Sequence, residues 1–278
     1  MKYASWLKSI MLLFLTICFL VSIIPIYMML IDSVKTGSEL ARNSWRLPIN
    51  FTLDNYNRLI NYSGGVIMRT YINGLAVAII YTVITIIISS LAAFAFSKYK
   101  FAGSVLIFSF LLATMMIPGE ITIPPLYIFF SKIKWLNTYN VQIFPGIANV
   151  FCMFMLKQYM DGLPNSLLES ARLDGAGHFT VFSRIMFPIS SPAVGALAIL
   201  TFLGKWNDYL WPKTFITNPK IMPIMVILPT LKDKDITWAV PREIMMAGCT
   251  IVVIPLIIVF FIFQKYFMSS VVIGAVKE

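Results

Sequence analysis

The stretch LLESARLDGAGHFTVFSRIMFP, residues 167–188, gathers Glu169, Arg172, Asp174, His178 and Arg184 inside an otherwise very apolar chain. Carboxylates, guanidinium groups and an imidazole at such spacing serve acid–base catalysis, metal ligation or charge-paired docking. Catalysis and ligation lack their other members. His178 is the single histidine and is expected to be a solvated or docking residue; no nucleophile–base pair or carboxylate dyad is recognisable. Cys18, Cys152 and Cys249 lie within apolar runs, without metal-ligand spacing, and read as small buried hydrophobes. The sequence has no G-x-x-x-x-G-K-[ST] to cradle ATP phosphates and no series of Asp, Glu and His within its apolar runs to relay protons. The expectation is no catalytic residue, no metal and no cofactor on this chain, so any energy input comes from a partner.

Local physics shapes the polar stretch. Ser166 and Glu169 have the S-x-x-E spacing of a capping box, which predicts a short helix over Leu167–Leu173. Asp174 and Gly175 end it, the glycine suiting a left-handed C′ position. A second helix is predicted over His178–Phe187, with Phe179, Phe182, Ile185 and Met186 on one apolar face, and Pro188 stops it. Two short helices on a glycine hinge are too short and too polar to cross a bilayer, so the unit should lie along the membrane surface. It is either a plain interfacial connector or a docking part.

The elements that must position this unit follow from composition. Of the 278 residues, 59% are hydrophobic and 12% charged, with mean hydropathy +0.82, against about 25% charged in an ordinary soluble domain. The uncharged blocks are about twenty residues long, the length that crosses ~30 Å of hydrocarbon as a helix. The prediction is an all-α polytopic membrane protein, a single transmembrane domain over 1–278. Its six spans lie at about 9–31, 71–97, 102–124, 138–158, 190–211 and 244–268, with the polar insert 159–188 between spans four and five. The first run, Ser9–Ile31, is too long for a signal-peptide core and has no small-residue cleavage site before Asp32. β-branched residues abound in spans two and six, but an open strand in lipid leaves backbone groups unsatisfied, so length decides for helix. Prolines 118, 124, 125, 145, 192 and 255 are either ordinary kinks or marks of parts that move. The net charge of +10 is spread singly over 22 Lys and Arg; without a basic stripe, nucleic-acid binding is excluded.

The insert resembles the E-A-A-x-x-x-G-x9-I-x-L-P motif of permease subunits in binding-protein-dependent ABC importers. Glu169, Ser170, Ala171, Gly175, Ile185, Phe187 and Pro188 stand at those positions, Ser170 and Phe187 being departures. The stretches IPIYMMLIDSVKT (24–36), MIPGEITIPPLYIFFSKIKWLNTY (116–139), WNDYLWP (206–212) and GAVKE (274–278) are similar to the maltose/multiple-sugar class, so the resemblance covers nearly the whole chain. It implies a cytoplasmic coupling helix around 165–175, docked on a separate ATPase subunit that uses ATP and Mg. Glu169, Ser170, Ala171, Asp174, Gly175, Ile185 and Pro188 would carry that coupling. For Glu169, pairing with a basic ATPase residue competes with the capping box.

The resemblance also implies a second, non-identical permease subunit, an extracytoplasmic solute-binding protein, a sugar or oligosaccharide cargo, and a prokaryotic cell membrane with both termini cytoplasmic. Lys2, Lys8 and the loop Lys98–Lys100 agree with that orientation, but 32–70 and 212–244 each carry five Lys or Arg, and charge counting alone is inconclusive. Trp206, Asn207, Asp208, Tyr209 and Trp211 offer platforms and hydrogen-bonding groups for sugar, or form an interfacial aromatic belt. Asp208 and Glu120 are costly deep in lipid and should face a cavity or the outer boundary. The outer loop 231–243 is a candidate contact for the binding protein. The alternative cargoes are a polyol or glycerol phosphate. The rival classes are a secondary transporter and a membrane assembly factor.

Overall fold

The computed structural model describes residues 5–42, 45–61, 64–231 and 241–275, and every regular element among them is helical. The loop 231–243, the candidate contact for the binding protein, lies largely outside the described residues. Three helices are long and apolar enough to cross a membrane, Trp6–Asp32, Val66–Lys98 and Arg242–Gln264, or up to five if each of two bent pairs counts as one span. Pro25 and Pro255 sit inside continuous helices.

The bent pairs depart from straight spans. Around the predicted third span, helices Ser104–Thr114 and Gly119–Lys132 meet at 94°. The break falls where Pro118, lacking an N–H and fixed in φ, precedes the second helix. Around the fifth, His178–Ile189 and Ser191–Trp206 meet at 77°. The fourth predicted span is two helices, Tyr139–Ile143 and Val150–Asp161, interrupted at Pro145 and at Gly146, whose φ is +87°. The longer piece has 12 residues and spans about 18 Å, well short of the hydrocarbon thickness.

By contacts the chain divides into two compact units. In the first, residues 1–69 and 227–254, Asp32 and Lys35 are fully buried and paired at 3.0 Å, and Arg242 reaches the other Asp32 carboxylate oxygen at 3.3 Å. Asn55 donates to the Ser33 and Lys35 carbonyls, at 2.9 and 2.7 Å, fixing the turn after the first helix. The apolar window of that first helix buries nothing within the chain. A helix apolar on all sides is what lipid or another membrane subunit covers.

The second unit, residues 70–226 and 255–278, contains the polar insert. Its core joins Ile86, Ala93 and Phe94 of the helix Val66–Lys98 to Cys152, Met153, Leu156 and Met160 of Val150–Asp161, and to the insert itself. A second cluster is aromatic: Phe130, Trp135, Trp211 and Phe215 surround Val141 and Ile216.

Candidate functional site

The insert forms its first helix at Ser166–Leu173. The expected capping box is absent: Asn165 occupies the N-cap, Ser166 is already helical, and no side chain caps the amides. The Asn165 Oδ1 that might have capped instead accepts from Lys98 Nζ at 3.1 Å. Glu169, freed from capping, is exposed, as are Ser170, Arg172 and Asp174. Leu168 and Ala171, one turn apart, enter the core, and burying a leucine there contributes about 1.5–3 kcal/mol. Leu173 points the other way and is 88% exposed. An amphipathic helix thus holds the unit with one face and offers carboxylates and an apolar residue on the other.

Its end matches the expected glycine turn. Gly175 has φ +76°, the Gly175 N–H donates to Arg172 O at 3.0 Å, and the Ala176 N–H donates to Ala171 O at 2.9 Å. This is the paired bonding of a Schellman motif, and Ala176 packs against the same core cluster that holds Ala171.

The second helix is α over His178–Val181 and π over Phe182–Met186. The Phe187 N–H reaches back to Phe182 O, the wide turn that often marks functional segments. Phe182 and Met186 are buried and Ile185 packs at the core edge. Phe179 departs from the expected inward face: it leans on Phe182 with ring centres 6.4 Å apart but stays 73% exposed. It borders an apolar groove of about 440 Å³ with Leu91, Phe94, Tyr99 and His178. Pro188 is exposed beyond it.

Two residues at the end of the long helix, Lys98 within its last turn and Tyr99 just after it, fasten both halves of the insert, and sequence reading missed them. Lys98 Nζ donates to Leu163 O at 2.8 Å as well as to Asn165. Tyr99 Oη shares a 2.7 Å hydrogen bond with His178 Nδ1, and the Arg172 guanidinium lies 5.5 Å from the Tyr99 ring centre. The sequence signal was only a Lys–Tyr pair at the end of an apolar run.

A cavity of about 630 Å³ lies elsewhere in the same unit, lined by Tyr81, Asn149, Cys152, Thr201, Lys205, Asp208 and Trp211 among others. Of the expected pathway residues, Asp208 and Trp211 reach it. Trp206 does not: it is 2% exposed, stacked on Phe202 and edge-on to Tyr71. Asn207, Tyr209 and Glu120 are exposed away from the lining. Tyr81 Oη donates to Gly146 O at 2.9 Å, and the Trp211 indole N–H donates to Val141 O at 2.7 Å.

Residues 85–272, more than half of the chain, match the family model for the binding-protein-dependent transport system inner membrane component. The chain is 34% identical over 268 residues to the arabinooligosaccharides transport system permease protein AraQ of Bacillus subtilis, covering 95% of this chain and 94% of that relative. It is 33% identical over 230 residues to the trehalose/maltose transport system permease protein MalG of Thermococcus litoralis, covering 81% of each. A chain of a bacterial ABC transporter that imports the acidic polysaccharide alginate shares the fold, with TM-score 0.85 at 20% identity, covering 96% of this chain and 99% of that one.

Proposed function

The chain belongs to the inner membrane components of binding-protein-dependent transport systems, and from that premise we propose that it is a permease subunit of an ATP-driven importer of sugars or oligosaccharides. The relatives named for arabinooligosaccharides and for trehalose/maltose support the cargo class. The observation that carries the mechanism is the insert: an amphipathic helix with Leu168 and Ala171 in the core and Glu169, Asp174 and Leu173 outside.

In this reading the outer face docks in a groove of a cytoplasmic ATPase subunit, which uses ATP and Mg. Glu169 pairs with a basic groove residue, the small exposed Ser170 allows close approach, Ala171 packs the helix onto the subunit's own core instead of meeting the groove, and Gly175 sets the turn. Ile185 and Pro188 link the second half to the next helix. Lys98 and Tyr99 pass displacement of the insert to the long helix, and the bundle alternates between inward and outward access. ATP drives such a switch only through different affinity for its two states.

In this reading the chain crosses the membrane six times, with the broken and bent spans included, so both termini share a side, and docking of the insert on the ATPase makes that side the cytoplasm. A second, non-identical permease completes the pathway; the uncovered apolar surface of Trp6–Asp32 is consistent with such a neighbour as well as with lipid. An extracytoplasmic binding protein delivers the sugar. Asp208 and Trp211 border the pathway through the cavity they line.

The test is uptake of arabinooligosaccharide and maltodextrin by cells producing the complete transporter, with and without its ATPase subunit. Loss of uptake with the ATPase supports the proposal; undiminished uptake without it rejects an ATP-driven importer.

A further inference from the structure

The cavity's two charged residues cancel each other. Lys205 Nζ lies 3.2 Å from Asp208 Oδ2, and their side chains are only 11% and 22% exposed. The other side of the ammonium faces the Tyr81 ring, 5.0 Å from its centre. The carboxylate is committed on both oxygens, because Asp208 Oδ1 also accepts the Trp211 backbone N–H at 3.2 Å. Trp211 is itself tied to Val141. The remaining lining supplies uncharged polar groups: Asn149, Thr201, and Cys152, whose Sγ lies 3.4 Å from Thr201 Oγ1.

From this arrangement we infer that the cavity is a binding site within this subunit for an uncharged polyhydroxyl ligand, and that the Lys205–Asp208 pair excludes acidic sugars and sugar phosphates. The volume falls within the ~300–1,000 Å³ of ordinary ligand pockets. Tyr81 and Trp211 give aromatic surface for the apolar face of a sugar ring. Asn149 and Thr201 give hydrogen-bonding groups for its hydroxyls. A carboxylate or phosphate entering the site meets a cation already paired with Asp208 and faced by the Tyr81 ring. To gain Lys205 it must displace Asp208, leaving a second anion in a poorly solvated wall. A neutral ligand meets no such penalty, and exclusion by an unpaired charge is an established way to build specificity.

The inference rests on the importer reading and deepens it. The experiment uses the complete transporter in lipid vesicles with Gly204→Cys as reporter. Gly204 lines the cavity, and a Cβ there meets nothing within 4 Å. Maleimide labelling of that thiol is followed with maltotriose, arabinotriose, trigalacturonate and glycerol 3-phosphate as probes. The expected result is slower labelling with at least one neutral trisaccharide and none with either anion. Adding Asp208→Asn should raise anion protection by about tenfold in apparent affinity. Adding Lys205→Met with Asp208→Asn should restore neutral preference, and this double variant serves if the single one fails to assemble. Protection by the anions in the parent, or a preference unmoved by Asp208→Asn, overturns the inference. If neutral sugar is transported but never protects the thiol, the cavity assignment fails and the importer reading stands; if no sugar is transported, the importer reading fails.

Discussion

Tyr99 and His178 share a 2.7 Å hydrogen bond across 79 positions of sequence, joining the end of the helix Val66–Lys98 to the second half of the insert. The contact makes the insert part of a linkage rather than a loop hanging from one end. Tyr99→Phe keeps the ring that packs on Phe94 at 5.2 Å and removes the bond, a loss of about 0.5–1.5 kcal/mol. The expected outcome in reconstituted transporter is near-normal ATP hydrolysis with fewer sugars moved per ATP, read as the uptake-to-hydrolysis ratio. An unchanged ratio would mean that the hydrogen bond carries no coupling.

Gly175 tests the hinge. Nothing lies within 4 Å of a Cβ placed there, yet φ is +76°, so a side chain has space but the wrong backbone. A left-handed conformation costs about 1–2 kcal/mol for an ordinary L-residue, and more for a β-branched one. Gly175→Val should insert in the membrane normally but copurify with less ATPase and lose uptake. Gly175→Asn, tolerant of that region, should retain most of both. Equal behaviour of the two variants would show that the turn conformation is not what docking requires.

Glu169 is exposed and caps nothing. Glu169→Lys should therefore leave the melting temperature of the isolated membrane subunit nearly unchanged, within the 0.3–1 kcal/mol of a surface charge at a helix N-terminus. Uptake should fall severalfold and recover when a basic residue of the ATPase groove is reversed. If no reciprocal reversal restores uptake, intersubunit pairing is not its role.

In the other unit, Asp32 and Lys35 are both fully buried and joined at 3.0 Å. Asp32→Ala leaves the ammonium without that carboxylate and releases Arg242. Breaking a buried pair in this way costs about 3–5 kcal/mol, expected as a marked drop in thermal stability in detergent. A drop much smaller than that would indicate that water or another group takes the carboxylate's place.

How much was legible in the sequence depends on the range of the interaction that fixes each feature. Apolar runs bounded by charges determined that the chain is helical and built for a membrane, because the hydrocarbon leaves a backbone few other choices. The Gly175 turn was also legible, since φ preference is a property of the residue itself. The capping box was not: Ser166 and Glu169 had the right spacing, but Asn165 took the cap position while Lys98, from a distant helix end, took its side chain. The fourth span was read as one run of apolar residues, and only the fold revealed how far Pro145 and Gly146 break it.

The cluster at 206–209 shows the same division. Adjacent residues turn away from one another near a helix end, so Trp206 goes into the core while Asp208 reaches the cavity. Lys205, its partner, was an unremarkable basic residue until folding set it between Asp208 and Tyr81. The sequence by itself determined what kind of solvent the chain must occupy and where its backbone could turn, because both follow from the chemistry of short segments. Only the tertiary structure decided which polar groups are spent on one another and which are left to act, because that depends on what distant segments bring alongside.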